Sequence, residues 1–110
     1  MSAVDVVQRQ FDSYNAQDME AFCATYSDDC VIAIYGGETL QHGKEAIRAR
    51  YTKTFGDFPK NRAWVVSRIA RGDVVIDHEK GERSPEGPFF EAAVIYTVKG
   101  DQIVRVDFIQ

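Results

Sequence analysis

From residue 62 to the end of the chain the apolar side chains recur at every second position, whereas before it they recur at every third or fourth. A period of two suits a strand with one buried face and a period near 3.6 suits a helix. The chain is therefore expected to be helical in its first half and an antiparallel sheet in its second. Gly72-Asp73 and Gly100-Asp101 divide the second half into two hairpins. Glycine takes the positive φ that a two-residue type II′ turn needs at its first loop position, and that turn matches the twist of antiparallel strands. The strands so defined are Arg62 to Arg71 with Val74 to Lys80, and Phe89 to Lys99 with Gln102 to Ile109. The intervening Gly81-Glu-Arg-Ser-Pro-Glu-Gly-Pro88 has turn chemistry throughout and reads as a mobile surface loop.

In the first half, Val4, Val7, Phe11 and Tyr14 draw one apolar stripe, with Ser2 and Asp5 as a capping box. Asp18 can cap a second helix carrying Met19, Phe22, Cys23 and Tyr26 inward, ended by Ser27-Asp-Asp29. Cys30 to Tyr35 is a short β-rich run apolar on both faces, stopped by Gly36-Gly37. Gly43 then opens a third helix that buries Ile47, Tyr51 and Phe55, with Gly56 as its natural stop.

A chain of 110 residues supports one hydrophobic core, and 45% hydrophobic with 27% charged residues is ordinary globular composition. The whole chain is read as a single domain. Net charge is −4 and Lys and Arg are scattered, so the electrostatic footprint of a nucleic-acid binder is missing. No stretch is apolar enough for a bilayer and no signal-peptide pattern opens the chain, so neither a membrane nor export is expected, and the protein is placed in the cytoplasm. Cys23 and Cys30 fit no zinc or redox spacing and are expected to be reduced and buried. The two His and the acids form no metal-ligand pattern, and no cofactor motif is present.

Counting back from the turns gives side-chain neighbours. In the first hairpin Ile69 should face Ile76, Ser67 face His78, and Arg68 face Asp77. Val65, Ile69, Val74, Ile76 and His78 then share the more apolar face, with Trp64, Val66, Arg68, Val75, Asp77 and Glu79 on the reverse. In the second hairpin Glu91, Ala93 and Ile95 group with Val104, Val106 and Phe108, and Val94 and Tyr96 with Arg105 and Asp107. His78 and Glu91 are thereby the acid/base candidates, because imidazole titrates near neutrality and a buried carboxyl is raised toward it. The bland alternatives are a sheet histidine bonded to Ser67 and a strand-end glutamate that reaches water. Asp77 with Arg68 and Asp107 with Arg105 read as surface ion pairs. Trp64, Val66, Val75, Val94 and Tyr96 make the outer sheet face apolar enough to predict a homodimer.

The runs Tyr14-Asn15-Ala16-Gln17-Asp18-Met19-Glu20-Ala21-Phe22, Tyr26-Ser27-Asp28-Asp29 and His42-Gly43-Lys44-Glu45-Ala46-Ile47 with Tyr51 resemble the nuclear-transport-factor-2-like superfamily, over nearly the whole chain. That superfamily includes ketosteroid isomerases and SnoaL-like polyketide cyclases. The resemblance implies an α+β, cystatin-like fold: a cone-shaped, mostly antiparallel sheet wrapped around the three helices, with a ligand pocket at the mouth of the cone and pairing through the sheet's outer face. It implies a pocket wall of Tyr26 and Tyr51. The position of the isomerase base holds Ile34, that of the oxyanion tyrosine Gln10, and that of the partner acid falls near Ala93 or Ile95, so the protein is not expected to isomerise ketosteroids.

These readings converge on a pocket for a small apolar or partly polar ligand, walled by Tyr14, Tyr26, Ile34, Tyr51, Phe55, Val106 and Phe108, with His78 and Glu91 both projecting into it. The leading expectation is a cofactor-free isomerase, cyclase or hydratase. A non-catalytic homodimeric ligand-binding or interaction module is the alternative, and a cone filled by its own side chains would favour the interaction module.

Overall fold

The computed structural model describes all of residues 1–110. Helix α1 (Ala3–Ala16) begins at the expected capping box, with Ser2 Oγ accepting from the Asp5 amide at 3.2 Å and the Asp5 carboxylate accepting from the Ser2 amide at 3.1 Å. It ends at Gln17, whose φ of 54° lets the chain turn directly into α2 (Met19–Ala24), capped by Asp18. Helix α2 is short because Tyr26 already pairs with Ile103 in the sheet, so β1 spans Tyr26–Ile34. Ser27-Asp-Asp29 is thus part of a strand and not a helix terminus. After β2 (Thr39–His42), α3 (Lys44–Asp57) runs through Gly56, which lacks the positive φ of a left-handed cap.

Strands β3 (Arg62–Arg71), β4 (Val74–Glu82), β5 (Phe89–Lys99) and β6 (Gln102–Ile109) complete one curved sheet in the order β2-β1-β6-β5-β4-β3. All neighbours are antiparallel except β1 and β6. Gly72 and Gly100 sit at φ 58° and 63°, and neither following Asp has a positive φ, which suits a type II′ turn at both hairpins. Ser67 faces His78, Arg68 faces Asp77 and Ile69 faces Ile76, as counted from the turn.

Which face is buried differs from the expectation. Between β4 and β5, Val75 faces Tyr96, Asp77 faces Val94 and Glu79 faces Ala92. These residues share the concave side, where Val75, Asp77 and Val94 are fully buried and Tyr96 and Glu79 nearly so. His78, Ile69 and Ile76 therefore look outward. An extra residue in β3, Val66, breaks the alternation and sends Val65 inward while Ile69 turns out. A second bulge at Val104 shifts β6, so that Val98 faces Ile103 but Thr97 faces Arg105. Val106 and Phe108 consequently stand opposite Tyr96 and Val94, and Glu91, Ala93 and Ile95 share the outer face with Arg105 and Asp107.

The three helices cover the concave side. Val6, Val7, Phe22 and Ile47 from the helices meet Val75, Val94, Val106 and Ile103 from the sheet, all essentially without solvent exposure. Each such aliphatic or aromatic side chain contributes roughly 1.5–3 kcal/mol by its burial. Asn15 acts as a false strand partner that joins α1 to the sheet: its Oδ1 accepts from the Ala63 amide at 2.8 Å and its Nδ2 donates to the Ala63 carbonyl at 2.9 Å. Arg68 grips the fully buried Asp77 through two bonds of 2.7 and 2.9 Å, so this pair is an internal one and not the surface pair expected. Loss of either partner from such a pair typically costs about 3–5 kcal/mol.

Candidate functional site

The sheet's curl leaves a cavity of about 120 Å³ between α1, α3 and β3–β6. That is several times the room one water needs. Glu79 enters it from β4. The residue is 8% exposed, its Oε2 accepts the Tyr96 hydroxyl at 2.8 Å, and burial pushes its carboxyl up to about 7 against the opposing pull of the Tyr96 bond. A carboxyl in this state exchanges a proton near neutral pH, which is what a general acid or base needs.

Tyrosine hydroxyls surround it. Tyr51 lines the cavity and makes no side-chain hydrogen bond; burial raises it to about 12, with the charge of Arg50 pulling the other way, so it keeps its proton. Burial likewise holds Tyr26 and Tyr96 well above the ordinary phenol range. Tyr26 accepts from Gln10 Nε2 at 3.1 Å, and Gln10 Oε1 is a buried acceptor without a partner in the cavity wall. Tyr14 accepts from Asn61 Nδ2 at 2.6 Å, and Asn61 Oδ1 accepts from Arg83 at 2.8 Å. Phe11, Phe90, Ala92 and Phe108 supply the apolar wall.

Of the residues anticipated for the pocket, Tyr14, Tyr51 and Phe108 line this cavity. Tyr26 supports it through Gln10. Phe55 and Val106 are buried packing residues. Ile34 borders a separate open cleft at the sheet edge, with Leu40, Arg50 and Glu91. His78 and Glu91 do meet, through His78 Nε2 and Glu91 Oε2, but on the outward face, with side chains 38% and 59% exposed. The bond to His78 lowers the Glu91 carboxyl, the opposite of the raised value a proton-holding glutamate needs. The expectation that the two project into one cavity is thus corrected: the inner face of β4 presents Glu79, the residue next to His78. Ala93 and Ile95 also face outward, so no sheet acid occupies those positions.

The hairpin count placed Glu79 on the face taken as outer, and Gln10, Arg50 and Arg83 were not among the expected site residues. The signal for Glu79 lay in β5, where Val94, Tyr96 and Val98 form a bulkier apolar face than Ala93, Ile95 and Thr97. Pairing β4 with that face carries Asp77 and Glu79 inward. Arg83 belongs to the segment read as a mobile surface loop, and instead turns back into the cavity wall.

No group of three His, Cys, Asp or Glu side chains is placed to hold a metal ion. Cys23 and Cys30 are buried and unpaired. No helix is long and apolar enough to cross a membrane.

The family model described as a SnoaL-like domain matches residues 7–106. No curated protein matches the chain. Among solved structures, an uncharacterised cystatin-fold protein from Novosphingobium aromaticivorans superposes with a TM-score of 0.91 at 29% identity, covering 100% of this chain and 99% of its own. A candidate polyketide cyclase from Sinorhizobium meliloti gives 0.79 at 21% identity, covering 98% and 99%. A nuclear-transport-factor-2-like protein of unknown function from Cytophaga hutchinsonii gives 0.80 at 15% identity, covering 98% and 88%. The last two speak for the fold alone.

Proposed function

The chain belongs to the SnoaL-like domain family, and from that premise we propose that it is a cofactor-free enzyme that moves a proton on a small, partly polar molecule, in an isomerisation, cyclisation or hydration. The observation that carries this reading is the Glu79 carboxyl, walled off from water, bonded to Tyr96 and raised to about 7. Glu79 takes the proton as carboxylate and returns it as acid. Tyr51, with a free hydroxyl that stays protonated, donates to the oxygen on which negative charge develops. The unpartnered Gln10 Oε1 accepts from a hydroxyl of the ligand. The unfilled cavity weighs against a pure interaction module. We place the protein in the cytoplasm, where its unpaired thiols stay reduced, as a homodimer.

Without a known substrate, the base can be tested on 5-nitrobenzisoxazole, whose ring opens to a nitrile and a phenolate when a base removes its carbon-bound proton as the N–O bond breaks. Turnover by the protein should rise with pH through a midpoint near 7. Glu79→Gln should lose about 10²–10⁴-fold. Turnover unchanged in Glu79→Gln, or flat between pH 5 and 9, would overturn the assignment.

A further inference from the structure

Four of the arginines, Arg48, Arg62, Arg68 and Arg105, meet a carboxylate of the protein. The two that line the cavity, Arg50 and Arg83, do not. Each donates one N–H to a neutral amide oxygen, Arg50 to Gln41 and Arg83 to Asn61, both at 2.8 Å. A guanidinium has five N–H donors, so most of each group's capacity is unused. Both lie over aromatic rings: Arg50 is 5.3 Å from the centroid of Tyr51 and 5.8 Å from that of Phe108, and Arg83 is 4.5 Å from Phe90 and 5.3 Å from Phe58. Stacking orients the fork while leaving its edges free. Both line the same cavity as Tyr51, and the charge of each pulls against the burial that raises its hydroxyl.

Glu79 does not neutralise them. No ion pair joins it to either arginine; the charge that pulls its carboxyl down is that of Arg68, which is itself paired with Asp77. With Glu79 protonated the cavity therefore holds two positive charges and no negative one.

We propose that the molecule this site takes is a small carboxylic acid, its carboxylate held between Arg50 and Arg83 and its body lying on Tyr51, Phe90 and Phe108 beside Glu79. This rests on the proton-transfer reading for the identity of the site and adds the substrate class. A carboxylate matches the planar fork bidentately, and the rings beside it suit a flat, unsaturated body. Occupancy depends on Glu79: once ionised, its charge opposes the incoming anion.

Benzoate and its neutral counterpart benzamide, measured by titration calorimetry at pH 6, test the assignment. Benzoate should bind at least tenfold more tightly than benzamide. Arg50→Gln and Arg83→Gln should each weaken benzoate at least tenfold and benzamide much less, with an unchanged circular-dichroism spectrum as the check on folding. Arg→Lys at the same positions should recover only part of the loss. Raising the pH to 8.5 should weaken benzoate for the wild type and leave it unchanged for Glu79→Gln. Equal affinity for the two compounds, benzoate binding indifferent to both arginines, or no binding of benzoate overturns the proposal. If that happens while ring-opening of 5-nitrobenzisoxazole still depends on Glu79, the substrate class alone is wrong. If the benzoate preference holds while that dependence fails, the anion site stands and the proton-transfer reading falls.

Discussion

A carboxyl moved from water into an apolar wall loses hydration that only its charged form needs, and one position therefore links stability to pH. Glu79 ionises near 4.5 in the unfolded chain and at about 7 in the fold. Below pH 4.5 it is protonated in both states. Between 4.5 and 7 unfolding releases its proton, so stability from this group is present at low pH and is lost as pH rises through 7, then stays level. The difference is on the order of 3 kcal/mol. Glu79→Gln has no proton to lose. Urea unfolding at pH 5 and pH 8 should show the variant gaining on the wild type by about 2–3 kcal/mol between them, all other groups cancelling in the comparison. A gap that stays constant would mean that Glu79 titrates like an exposed carboxylate. Asp77, two residues away on the same face, is matched by the Arg68 fork; Glu79 has only a phenol. Partial pairing, where its neighbour has full pairing, is why burial leaves Glu79 with a raised carboxyl.

At the scale of strands, the site depends on how β4 and β5 meet. Gly81 faces Phe90 across the ladder, and a Cβ on Gly81 would lie 2.1 Å from Phe90 Cζ, so the outer end of the ring occupies the space a side chain would take. The same ring walls the cavity and underlies Arg83. Gly81→Ala must push it away. The expected outcome is at least a tenfold loss of 5-nitrobenzisoxazole turnover with a stability cost of roughly 1–3 kcal/mol. Turnover at the wild-type level would show that the ring position does not matter. Much of the element pattern was legible in the sequence, because the Gly-Asp turns fix where hairpins reverse and the apolar spacing separates helix from strand. Tyr14, Tyr51 and Phe108 could be placed on the pocket from periodicity and the family resemblance. The inner face of β4 was not legible from one hairpin, since His78 and Glu79 are adjacent and a period of two sends adjacent residues to opposite sides. The bulges at Val66 and Val104 reverse the alternation, and nothing in those two valines marks them. Only the summed apolar content of neighbouring strands decides which side is buried.

For the whole molecule, all three helices lie on the concave side, which leaves the convex side of β3, β4 and β5 uncovered. The apolar residues there are Trp64, Val66, Ile69 and Ile76, exposed by 41%, 50%, 69% and 37%. Val75, Val94 and Tyr96, expected on this surface, are buried on the other side, so of the expected residues only Trp64 and Val66 remain and Ile69 and Ile76 join them. The surviving patch is large for so small a chain to leave wet. A second copy can cover it by a two-fold contact in which the patch meets itself, and a stable contact of that kind buries about 800 Å² on each partner. The His78–Glu91 pair lies on this same outer surface, where a polar pair can fix orientation within an otherwise apolar contact. Light scattering at micromolar concentration should therefore give twice the 12.4 kDa of the chain. Replacing Ile69 with Glu together with Ile76 with Glu places like charges directly opposite each other in the register and again across the two-fold, and should yield the monomer. The cavity opens on the other side of the sheet, so that monomer should keep its 5-nitrobenzisoxazole turnover and its affinity for benzoate. A wild-type mass of 12.4 kDa would sink the dimer, and loss of turnover in a folded monomeric variant would mean that the convex contact shapes the cavity through the thickness of the sheet.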